Sequence, residues 1–226
     1  ATNRGRYAIK DWFKGLKQQA DTTIDNDFNS GWGKTSPSGT DPNSVPSLIS
    51  STPTVGTIGG LARSSFKSLQ NGVETAAIAD IGSEAGIGSM LELAATYSVG
   101  QSMTDLVVMS QTKWGNLGAY LSTQQRFRAD EKLKLVNVRS IDIIGMTIVF
   151  ENTNVMNAEN SIADDSVYGI NSKHFFIQVI SGFDGRWGTQ LERVNKSLNK
   201  YIPYEWFGQL MTDNPRGQWV ASNVTT

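Results

Sequence analysis

Four prolines, Pro37, Pro42, Pro46 and Pro53, fall inside one segment, residues 31–60, that is otherwise rich in Gly, Ser, Thr and Asn. Proline lacks a backbone N–H and locks φ, so most of this segment is barred from regular helix or sheet. It divides the chain into a helical opening and a mixed remainder. A loop this long in a compact domain is usually functional or packed against a neighbour. Val45, Leu48, Ile49, Val55 and Ile58 within it predict packing. Ahead of the loop, Trp12, Phe13, Leu16, Ala20, Ile24 and Phe28 recur mostly at every fourth residue. That spacing predicts a helix over 8–30 whose apolar arc approaches half the circumference. Asn29-Ser30-Gly31 predicts its stop, with Gly31 in the left-handed position that ends many helices. So wide an arc needs more than one small sheet to cover it, which marks Trp12, Phe13 and Phe28 as candidate contact residues.

Beyond the loop, Ser83 is placed to cap a helix carrying Ile87, Met90, Leu91, Ala94 and Tyr97 on one face. Residues 105–109 predict a short buried strand. Ser110 then caps a second helix with Trp114, Leu117, Gly118 and Leu121 at helical spacing. A charged stretch, 126–139, leads to a strand over 141–150, a polar loop to 165 and a strand over 174–180. Residues 201–211, YIPYEWFGQLM, predict one long aromatic strand, with Pro203 tolerable near its start or on an edge. Asn214-Pro215-Arg216-Gly217 is a turn signal, and 218–224 a last short strand. Helices and strands mix without regular βα alternation, so the fold class is α+β.

Composition excludes several chemistries. The chain of 226 residues has no cysteine, which rules out disulfides, thiolate metal sites and cysteine catalysis. His174 is its one histidine, and no sequence neighbour supplies the nucleophile and orienting acid a catalytic histidine needs. Gly33-Lys34-Thr35 is half a phosphate loop, but Phe28 stands where the first glycine is required. Asp25, Asp27 and Asn29 have calcium-loop spacing, yet Ser30 and Ser36 replace the required glycine and glutamate. Asp164, Asp165 and Asp184, with Glu151 or Glu192, are the carboxylates a glycan hydrolase would use, in loops where solvated turn residues are the default. No metal, cofactor or catalytic residue is therefore assigned. Twenty basic residues against twenty-one acidic ones argue against a dedicated nucleic-acid binder. The longest apolar run, 143–150, is far short of the roughly 20 residues of a membrane span. Lys132, Lys134 and Arg139 alternate with apolar residues and, lacking stacking aromatics, fit a salt-bridged protein contact.

Taken in order, these elements resemble the major capsid protein of tailed bacteriophages, with the Hong Kong 97 fold. The opening helix and its loop are similar to the family's spine helix and the loop after it, with Ile58-Gly59-Gly60-Leu61-Ala62-Arg63 in the place of the family's glycine-rich run. DLVVMSQTKWGNLGAYLSTQQRF resembles the family's strand leading into a helix. The strand Gly145-Met146-Thr147-Ile148-Val149 is similar to "G-x-P-V-V", with Thr147 in place of proline. YGINSKHFFIQV and GQLMTDNPRGQWVASN resemble the strands that close the fold.

The resemblance implies a peripheral domain over 1–60 and 183–214, with the spine helix and a long strand, and an axial domain over 61–182 and 215–226. It implies a structural subunit, not an enzyme, that forms pentamers and hexamers around a genome. Scaffold, portal or decoration proteins would be its partners, with non-specific proximity to packaged double-stranded DNA and no membrane. Its place would be the virion, after assembly in the host cytoplasm. An encapsulin-type compartment is the alternative within the fold. Segment 124–139 would lie near the ring axis, which adds Arg126, Lys132, Lys134 and Arg139 to Trp12, Phe13 and Phe28 as expected subunit-interface residues. Family members carry an extended arm and hairpin before the spine helix. The virion protein is accordingly expected to continue N-terminal to Ala1, and the 226-residue chain alone to close shells poorly.

Overall fold

The computed structural model describes residues 6–39, 41–75, 80–125, 140–151, 162–163, 165–188, 191–192, 200–222 and 224. Helix α1 (Arg6–Gly33) opens it. The helix outruns its predicted stop because Gly31 does not take the left-handed conformation. Both Gly31 and Gly33 are buried.

The proline-bearing segment is more regular than expected. It contains a one-turn helix, α2 (Val45–Leu48), and a small hairpin of β1 (Thr57–Ile58) and β2 (Leu61–Ala62). Pro46 sits in the first turn of α2, where a missing N–H costs nothing. Ser44 and Ser47 cap that turn reciprocally, each hydroxyl accepting from the other's backbone N–H. The predicted packing holds for Leu48 and Ile49, which are buried, but Val55 is exposed. Arg63 closes the segment from inside. Its guanidinium is buried and donates to the carbonyls of Ser47 and Leu48 at 2.9 and 2.8 Å and to Asn71 Oδ1 at 3.1 Å. Burial pushes its pKa below the usual arginine value, and the three acceptors satisfy the buried donors.

The remaining elements are β3 (Gly72–Glu74), α3 (Glu84–Thr96), β4 (Leu106–Ser110), α4 (Gln111–Gln125), β5 (Ser140–Ile143), β6 (Met146–Glu151) and β7 (Val167–Ile170). After them come β8 (Phe175–Val179), β9 (Arg186–Trp187), β10 (Leu191–Glu192), β11 (Lys200–Tyr201), β12 (Tyr204–Glu205), β13 (Gly208–Thr212) and β14 (Trp219–Ala221). Ser83 caps α3 as its position predicts, its hydroxyl accepting from the Gly86 N–H. Ser110 serves α4 in the same way through the Lys113 N–H.

Six strands form one mixed sheet in the order β3-β14-β7-β4-β6-β5. The pairs β3–β14 and β4–β6 are parallel and the others antiparallel. Strand alternation gives the sheet two buried faces. Val107, Met109, Ile148, Trp219 and Ala221 meet Met90, Ala94 and Leu117 of α3 and α4 on one face. Tyr168, Ile170 and Val220 meet Leu48, Ile49 and Leu210 on the other. No helix among the described residues is long and apolar enough to cross a membrane.

Two strand predictions are corrected. Residues 141–150 are not one strand but the hairpin β5–β6, because Ile144 and Gly145 take φ of 45° and 82° and reverse the chain in a two-residue turn. Residues 201–211 are not one long strand either. The run has three partners in turn, β11 with β10, β12 with β9 and β13 with β8. Pro203 has no N–H to give and offers only its carbonyl, to the Gly188 N–H at 2.7 Å. Phe207 turns its N–H to Phe183 O at 3.1 Å, so a single ladder cannot run through both.

Candidate assembly surface

The two-stranded ribbon β8–β13 has two unlike faces. Directly opposite residues of an antiparallel pair share a face. Phe175, Ile177 and Leu210 are on one side, where Leu210 and Phe175 join the sheet's second core. Phe176 opposite Met211 and Gln178 opposite Gln209 are on the other. Ile180 extends that second face, since its N–H donates to Phe207 O at 2.9 Å. Phe176, Ile180, Phe207 and Met211 are between 39% and 61% exposed. Four large apolar side chains on one face of a water-facing ribbon make it a candidate interaction surface.

Helix α1 stands beside this face. Ile24, Phe28 and Gly31 share one side of the helix, and together with Ile180, Gln209 and Met211 they line an open groove of about 890 Å³. An aromatic cluster holds its end. Phe28 meets Trp206 edge-on at 4.7 Å, and Trp32 lies 6.4 Å from both, stacked on Phe28. The next ribbon continues the aromatic wall with Trp187 edge-on to Tyr204 at 5.3 Å. The chain after α1 folds back to form the rim. Asn43 donates from its backbone to Gln209 Oε1 at 2.6 Å and from its side chain to Leu210 O at 3.2 Å.

An ion pair keeps that rim folded. Lys34 Nζ lies 2.8 Å from Asp41 Oδ2, which also accepts from the N–H and hydroxyl of Ser38. These hydrogen bonds, that of Lys34 first, lower the Asp41 pKa from 3.8 to about 2. Lys34 is thus engaged by a carboxylate beyond a helix C-terminus, not poised in a phosphate loop.

No protein-family model matches the sequence, and no curated protein is found similar to it. Solved structures do resemble it. The cyanophage A-1(L) capsid asymmetric unit superposes with a TM-score of 0.54 at 12% identity, over 97% of this chain and 69% of that one. The capsid of the empty GTA particle, computed with C5 symmetry, superposes with a TM-score of 0.50 at 11% identity, over 96% of this chain and 67% of that one. This chain has a phage capsid fold.

Within the capsid fold, the expected interface residues fall into two groups. Phe28 lies at the groove, packed on Trp206. Trp12 and Phe13 belong to α1, but their side chains lie outside the described residues, as do Arg126, Lys132, Lys134 and Arg139. Sequence reading missed the ribbon face. Its signal was the pair of runs Phe175-Phe176-Ile177 and Phe207 to Met211, but which residues point outward depends on register. His174 is in a 3-10 turn before β8, its Nδ1 2.8 Å from Asp213 Oδ1. The pair pins the ribbon's open end. Among the described residues, no group of three or more His, Asp or Glu is placed to hold a metal ion.

The rim of the groove is expected to be acid-sensitive in a defined window. The folded-state pKa of Asp41 is depressed, so its contribution is present above pH 3.8 and is lost as pH falls through about 2. The thermal midpoints of wild type and Asp41→Asn should differ at neutral pH and converge between those limits. A difference that stays constant down to pH 2 would contradict the ion-pair account.

Proposed function

We propose that the chain is a structural subunit of an icosahedral phage head, assembling through pentamers and hexamers into a shell around a genome. The observation that carries this reading is the two-faced mixed sheet and its flanking elements, which follow a capsid fold over nearly the whole chain. A shell subunit must meet several copies of itself at once, and the apolar ribbon face beside α1 supplies a surface of that kind. In this reading α1 is the spine of a peripheral domain, 1–60 and 183–214, and the six-stranded sheet is the centre of an axial domain, 61–182 and 215–226. The ribbon β8–β13 then joins the two. The charged segment 124–139 would face the ring axis. A net charge of -1 suits a wall that lies near packaged DNA without clamping it. Scaffold, portal and decoration proteins would be further partners.

Sedimentation velocity of the purified chain tests the assembly. The expected species are pentameric or hexameric rings, with or without larger shells. A monomer throughout the micromolar range would overturn the proposal.

A further inference from the structure

The turn joining β5 to β6 holds a residue that its backbone disfavours. Ile144 has φ of 45°, and among the described residues it is the one non-glycine in the left-handed region. Its side chain is 79% exposed, the most of any large apolar side chain described. A two-residue turn of this kind needs positive φ at both central positions, a need that Asn-Gly or Asp-Gly meets. Gly145 fits it. A β-branched side chain at the first position is strained. Within one chain Ile144 is therefore unfavourable twice, through its backbone and through the apolar surface it gives to water.

Its neighbours make the turn without it. Met146 is buried in the helix-side core and Ile143 packs against that core, so the hairpin's register does not depend on Ile144. Strain kept at a position that folding does not use points to a contact outside the chain. We propose that Ile144 is an assembly knob that seats in an apolar surface of a second copy of this chain. This rests on the shell reading above.

Three observations favour that occupant. The turn, Ile143-Ile144-Gly145-Met146, carries no charge, so its complement is apolar surface and not an ionic ligand. Met103, also exposed, lies at the same end of the sheet, where the Thr147 N–H donates to Asp105 O at 2.8 Å. Finally, β5 is the outermost strand of the six-stranded sheet, whereas the exposed apolar ribbon β8–β13 is a separate sheet. Unlike apolar patches on one chain make head-to-tail contacts between copies, the kind that closes rings.

The two roles of Ile144 predict effects of opposite sign. Ile144→Asn and Ile144→Gly suit the turn, so both should unfold at a temperature equal to or above that of wild type. Both should also require at least about tenfold more protein to form rings, the usual cost of truncating an interface anchor. Ile144→Val, which keeps a branched apolar side chain, should assemble like wild type. Thermal unfolding and sedimentation velocity on the four proteins read both effects. Rings that form equally well from Ile144→Asn would overturn the proposal, as would a lowered unfolding temperature, which would make Ile144 a folding residue. A wild-type monomer would instead overturn the shell reading, and this inference with it.

Discussion

Gly169→Ala is expected to destabilise the folded chain by about 3 kcal/mol, the upper end of what overpacking a core costs. Gly169 lies in β7 directly opposite Trp219 of β14. A Cβ built on it would fall 2.0 Å from Trp219 Cε2, with two further indole atoms within 2.4 Å. The ring has little freedom to withdraw. It is fully buried, and its Nε1 donates to the buried Thr104 hydroxyl at 2.8 Å. Moving it would break that bond and disturb the packing of α3 and α4 on the sheet. Trp219→Ala should itself cost about 3–5 kcal/mol, through lost apolar burial and the cavity left behind. The two changes address one volume, so they should not add. On a Trp219→Ala background the glycine replacement should cost less than about 1 kcal/mol. Urea denaturation of the two single variants and the double variant measures this directly. Independent, additive costs would show that the close approach at Gly169 does not limit packing.

Assembly is expected to fail when the ribbon face is made polar. Phe176 of β8 and Ile180 just beyond it share the ribbon face opposite the one on which Phe175 and Leu210 join the core. Serine at both positions removes contact surface without adding charge or touching the core. The unfolding midpoint should therefore stay close to that of wild type. Interface anchors cost about 2 kcal/mol each when truncated. The double variant should thus raise the protein concentration needed for rings on the order of a thousandfold. Sedimentation velocity across a dilution series reads the effect. Rings that persist at wild-type concentrations would remove this face from the interface. A fall in midpoint of many degrees would instead show that the two side chains support the ribbon itself.

Much of the fold was legible where local physics decides it. Apolar spacing and serine caps located α1, α3 and α4 to within a few residues, because a helix's periodicity and its orphan N–H groups are written in consecutive positions. The buried strand β4 was legible too. The tertiary structure decided what depends on partners far away in the chain. Pairing, not the apolar run, sets where a strand begins and ends, so 201–211 became three short strands with three different partners. The positive φ at Ile144 was invisible because isoleucine is the residue least expected there. The exposed ribbon face was hidden because register, not residue type, decides it. Phe175 and Phe176 are adjacent and alike, yet register turns one into the core and leaves the other to water. A side chain's identity is local, but the face it shows is set by the strand beside it, which for β8 arrives some thirty residues later in β13.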